Sequence, residues 1–167
     1  MKVLLAISDR LFGDAILRFA ASHNLSGPTE YKIVSVIGPK AMQPGKNSKE
    51  KEAYYASEKR HADTLLAQGR AMLLRERPEA NVSCEVLEGH TARELLSCAQ
   101  EWPADMIVMG SHGRHGLERA LLGSVSFYVS SHSPCSVSIV RVSTADILDF
   151  DLDESDVPDE MKSYVEA

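Results

Sequence analysis

Three kinds of feature are scarce in this chain: cysteine, long apolar runs and clustered basic charge. Its three cysteines, Cys84, Cys98 and Cys135, are odd in number and far apart, and none forms a C-x-x-C pair. That pattern excludes a disulfide framework and reads as buried thiols in a reducing compartment. The apolar stretch near the start, Val3–Ile7, is too short for a signal peptide, and no stretch approaches the ~20 residues that a membrane helix needs. The expectation is a cytoplasmic protein with no membrane contact. Lysine and arginine nowhere form a dense stripe, which leaves nucleic acid little to hold.

The acidic balance is itself localised. The net charge of −6 comes from the end of the chain, where Asp146–Ala167 carries nine acidic residues and one lysine. The remaining 145 residues carry 17 basic and 15 acidic side chains and are close to neutral. The chain therefore divides into one domain over 1–145, of ordinary size for a single core, and an acidic C-terminal tail over 146–167 that solvates or docks. An apolar fraction of 44% and a charged fraction of 25% are those of a globular domain.

Within 1–145, short β-type runs alternate with helical ones. Val3–Ile7 and Met106–Met109 are continuously apolar, as strands buried on both faces are. Tyr31–Ile37, Asn81–Leu87 and Ser136–Val142 supply three more strands, with Val82, Cys84 and Val86 on the drier face of the third. Phe12–His23 has helical spacing. Ser48–Arg77 is a long helix with Ala62, Leu65, Leu66, Gly69, Met72 and Leu73 on one face. Thr91 followed by Glu94 reads as a capping box before Leu95, and Ser124–Ser131 as a short helix. The polar segment Lys40–Lys49 reads as a loop. Alternation of this kind predicts a parallel sheet with right-handed crossovers, the two driest strands central, and ligands at the carboxyl ends of the strands where the order reverses.

At that place the fourth strand runs into Gly110-Ser-His-Gly113, and Gly123-Ser124-Val125-Ser126 follows where the next helix begins. Glycines let backbone approach a ligand without a Cβ, and a helix N-terminus presents amides and partial positive charge to an anion. Glycines after a strand also make a plain tight turn, and on physics alone the two readings weigh evenly. The spacing G-x2-G-x9-G-[ST], here Gly110, Gly113, Gly123 and Ser124, resembles the nucleotide-binding signature of the universal stress protein family. Its flanks, Ala104–Gly113 and Leu121–Ser126, are similar too, and the likeness runs over roughly Met1–Val142, Gly89 and Ala92 included. The resemblance implies an α/β fold of the adenine nucleotide α-hydrolase-like type, a five-stranded parallel sheet of order 3-2-1-4-5 with helices on both faces. It further implies a homodimer and ATP, with or without Mg²⁺, bound by Gly110, Gly113, Gly123, Ser124, Val125 and Ser126 at ribose and phosphates and by Val36 at adenine. One position departs: ATP-binding members carry Asp directly after the first strand, whereas here Ser8 stands there and Asp9 follows. Ser8, Asp9 and His112 complete the candidate set.

Other patterns fall short of a site. His112, His115 and His90 lack companions at metal-ligand spacing. Gly45-Lys46 has no glycine five residues earlier, as a Walker A loop requires, and no serine sits in a G-x-S-x-G elbow. The final strand, Ser136–Val142, is an exposed edge that a second copy can pair with. The leading expectation is an ATP-binding stress-response or signalling module with little or no turnover. A nucleotide-free dimerisation module of the same fold and a true nucleotide-using enzyme are the competing readings.

Overall fold

The computed structural model describes residues 1–23, 28–39, 48–111 and 122–141. The acidic tail, Gly113, His112 and Val142 lie outside the described residues, as do Gly45 and Lys46. Five strands, β1 (Lys2–Ala6), β2 (Glu30–Ile37), β3 (Asn81–Glu88), β4 (Met106–Gly110) and β5 (Ser136–Val140), alternate with four helices, α1 (Arg10–Ser22), α2 (Ser48–Glu76), α3 (Thr91–Glu101) and α4 (Ser124–His132). All neighbouring strands are parallel, in the order β3-β2-β1-β4-β5.

The two-residue period of the strands divides the interior into two cores. Val3, Leu5 and Ile7 point to one face with Tyr31, Ile33 and Val108, where Ile16 and Leu17 of α1 and Leu65, Leu66 and Leu73 of α2 cover them. Leu4, Val34, Ile107 and Met109 point to the other, under Leu95, Cys98 and Ala99 of α3 and Val129 of α4. β1 and β4 are thus buried from both sides, which explains their unbroken apolar sequence. Gly69 lets α2 lie close on α1: a Cβ there would stand 3.2 Å from Leu17 Cδ1.

Three local expectations change. His90, not Thr91, is the N-cap of α3, and it makes no side-chain cap bond. Thr91 is the first helical residue, and the turn before it is set by Gly89 at φ +142, a conformation that L side chains rarely adopt. Cys84 is exposed, because β3 is an edge strand, and Cys135 is half-buried. Only Cys98 is the buried thiol the sequence suggested, and burial pushes its pKa up against the pull of Lys32.

At the amino-terminal foot of the sheet, the ammonium groups of Lys2 and Lys32 each stand 5.4 Å from the Trp102 ring centroid. Asp105 accepts from the Lys2 amide at 2.7 Å, and Lys32 also pairs with Glu85 at 2.9 Å. Among the described residues no helix is long and apolar enough to cross a membrane.

Candidate functional site

The strand order reverses between β1 and β4, so the connections leaving these two strands part to opposite sides and open a crevice. A cavity of about 1020 Å³ lies there, at the upper end of the volumes of ligand pockets, about 300–1,000 Å³. Its floor is the carboxyl ends of three strands: Ala6 of β1 with Ile7 and Ser8 after it, Val34 and Val36 of β2, and Met109–Ser111 at the end of β4. Gly123, Ser124, Val125 and Ser126 form the wall on the α4 side.

The helices that begin near this floor include α1 and α4, whose amino termini differ. The first-turn amides of any helix have no intrahelical acceptor. In α1 that need is met internally: Asp9 is the N-cap, and its Oδ1 accepts from the Phe12 amide at 2.8 Å. The second carboxylate oxygen accepts from the Ser8 hydroxyl, also at 2.8 Å. The one-residue displacement of the acid therefore has a structural outcome. Ser8 lines the cavity, while Asp9 lies outside the lining and both its oxygens hold local structure. In α4 the N-cap is Gly123, which has no side chain to turn back onto the amides of Ser124, Val125 and Ser126. All four residues, Gly123 to Ser126, line the cavity.

The ends of the glycine segment are tied at its base. The Ser111 amide donates to the Val140 carbonyl at 2.9 Å, and the Gly123 amide donates to the Ser111 carbonyl at 2.8 Å. Ser126 is buried, and its hydroxyl donates to the Ser111 and Gly123 carbonyls, both at 2.9 Å. Of the Ser126 polar atoms, its amide is thus the one suited to an anion. The structure brings Ser8, Val36, Gly110, Gly123, Ser124, Val125 and Ser126 around one cavity.

Sequence reasoning missed part of the lining. Tyr54 and Glu58 of α2, Tyr128 of α4 and Thr91 of α3 also face the cavity, as does His90, singled out above only as a metal candidate. Tyr128 stacks on His132 with centroids 4.1 Å apart. Tyr54 and Glu58 lie before the apolar stripe of α2, so the sequence marks them as ordinary solvent-side residues. Among the described residues no group of three or more His, Cys, Asp or Glu side chains is placed to hold a metal ion.

The chain matches the model of the universal stress protein family over residues 1–141. A universal stress protein of Synechocystis, Sll1388, is 45% identical over 65 residues, which are 38% of this chain and 42% of that protein. The chain thus spans less than half the length of this curated relative. UspA of Lactobacillus plantarum superposes with a TM-score of 0.70 at 22% identity, over 84% of this chain and 97% of that one. A universal stress family protein of Arabidopsis thaliana with AMP bound superposes at a TM-score of 0.65 and 13% identity, over 90% and 97% of the two chains. At these identities the two superpositions establish the shared fold.

Proposed function

Since the chain belongs to the universal stress protein family, we propose that it is a nucleotide-binding stress-response module whose cavity takes ATP. One observation carries this reading: the first turn of α4, Ser124, Val125 and Ser126, lines the switch-point crevice behind Gly123, a cap residue that has no side chain. Such a terminus favours a polyanion. Val36, at the β2 side of the same cavity, gives an apolar surface for adenine, and the AMP held by the Arabidopsis relative supports the base. Gly113 and His112 belong to this reading through the family signature. Mg²⁺, where it accompanies the nucleotide, would be held through the phosphates and would keep several waters. The domain is residues 1–145, the acidic C-terminal tail is 146–167, and the setting is the cytoplasm.

Acid extraction of the purified protein is expected to release an adenine nucleotide. Adding ATP-Mg at 100 times Kd stabilises the native state by about 2.7 kcal/mol. At about 2–4 °C per kcal/mol for a chain of this size, the melting temperature should rise by roughly 5–10 °C. No released nucleotide and an unmoved melting temperature at millimolar ATP would instead favour the nucleotide-free dimerisation module. That second reading draws on Asp9, whose carboxylate is committed to α1. Turnover is slow or absent in either case; many turnovers per second would mark an enzyme.

The partner in both readings is a second copy along β5. That strand pairs only with β4 among the described strands, and α4 beside it leaves Phe127 62% exposed. Sedimentation equilibrium should return about twice the 18.3 kDa chain mass. A single 18.3 kDa species at tens of micromolar would reject the pairing.

A further inference from the structure

The amino-terminal half of α2 has no evident role in the core. At 1.5 Å per residue the 29 residues of this helix extend roughly 43 Å, whereas the eight-residue strands beneath it extend about 26 Å. Its buried core residues begin at Ala62, so the turns before it pass beyond the strand ends. They are held there by the Tyr55 hydroxyl, which donates to Glu88 at the end of β3. Next to that anchor, Tyr54 and Glu58 stand one helical turn apart and both line the cavity. This wall rises over β2 and β3, on the far side of the crevice from α4.

A nucleotide whose phosphates lie at α4 would cross the cavity from that wall toward this one. We infer that Tyr54 and Glu58 read the nucleobase, the tyrosine ring lying against its face and the carboxylate accepting from the exocyclic amine of adenine. The inference rests on the nucleotide reading above and adds the residues that select the base. The chemistry is suited to it. An ionised carboxylate is an acceptor only, so it rewards an amine and rejects a carbonyl at the same position. Aromatic stacking is tolerant of base identity, so Tyr54 supplies affinity and Glu58 supplies choice.

The test uses the full chain with three probes: ATP, purine riboside triphosphate, which lacks the exocyclic amine, and inorganic tripolyphosphate. In Glu58→Ala, ATP affinity should fall about 10-fold or more, the worth of a hydrogen bond to a charged group. Purine riboside triphosphate and tripolyphosphate should bind as in wild type. Tyr54→Ala should weaken both nucleosides by at least about 5-fold and spare tripolyphosphate, while Tyr54→Phe keeps wild-type affinity. Equal weakening of ATP and the amine-free analogue in Glu58→Ala overturns the inference. So does tighter binding of all three, which would make Glu58 merely a repelling charge. If wild type binds tripolyphosphate and ATP equally, the base is not read at all, yet the anion site at α4 stands. If wild type binds none of the probes, both readings fail together.

Discussion

Replacing Gly123 by valine is expected to abolish the ATP-induced rise in melting temperature and to weaken ATP binding at least about 100-fold, the equivalent of two lost charge-assisted hydrogen bonds. The reason is spatial. Gly123 is the N-cap of α4 and lines the cavity, so branched carbons there occupy the approach to the amides of Ser124, Val125 and Ser126. The backbone does not resist the change: Gly123 lies at φ −69 and ψ 160, extended geometry that a β-branched residue adopts readily. Its amide and carbonyl bonds to Ser111 and Phe127 remain possible, because they involve no side chain. Valine is a poorer cap than glycine, which costs about 1 kcal/mol of stability and no more. The unliganded variant should therefore melt within a few degrees of wild type. Isothermal titration together with thermal scans separates the two effects. A variant that binds ATP with wild-type affinity would move the phosphate site elsewhere.

Leu4→Ala should be a heavily damaging change in the core, costing about 2–5 kcal/mol. Leu4 has no exposed surface and lies at the middle of β1, packed with Val34 and Ile107 from the flanking strands and with the side chains of α3. The neighbours on either side are backbone-bonded in register, with Leu4 opposite both Lys32 and Ile107, so they cannot collapse into the space. For a domain with a total stability of about 5–15 kcal/mol the loss is a large share. Val137→Ala, on the edge strand and only partly buried, should cost about 1 kcal/mol. Urea denaturation with an unchanged m-value measures both. Equal losses at the two positions would contradict the placement of β1 at the centre.

The central place and the two-sided burial of β1 and β4 were legible in their apolar runs, whereas the full order of the five strands followed from the family resemblance. Unbroken apolar runs mark burial on both faces, and the sequence contains two, Val3–Ile7 and Met106–Met109. The α4 side of the candidate site was legible only in part: a strand, two glycines and a helix start suit a tight turn as well as a phosphate site, and the family resemblance favoured the second. The α2 side was not. Tyr54 and Glu58 reach the cavity because a helix outruns its sheet, and length relative to strands far away in sequence leaves no local pattern. Asp9 illustrates a further limit. Its carboxylate could serve a ligand or a helix, and only the position of the Phe12 amide decides for the helix. Ser126 is the same case in reverse, a hydroxyl at the right place in the motif that turns inward to the Ser111 carbonyl. Periodicity reports which face a residue occupies, and hydrogen bonding decides what that face does.

The placement of Trp102 has a practical side. It is the single indole of the chain, and the ammonium groups of Lys2 and Lys32 each stand 5.4 Å from its ring centroid, near the amino-terminal ends of β1 and β2. Its fluorescence is a gauge of whether the base of the molecule holds together, and ligand occupancy at the top has to be followed by heat or by a label.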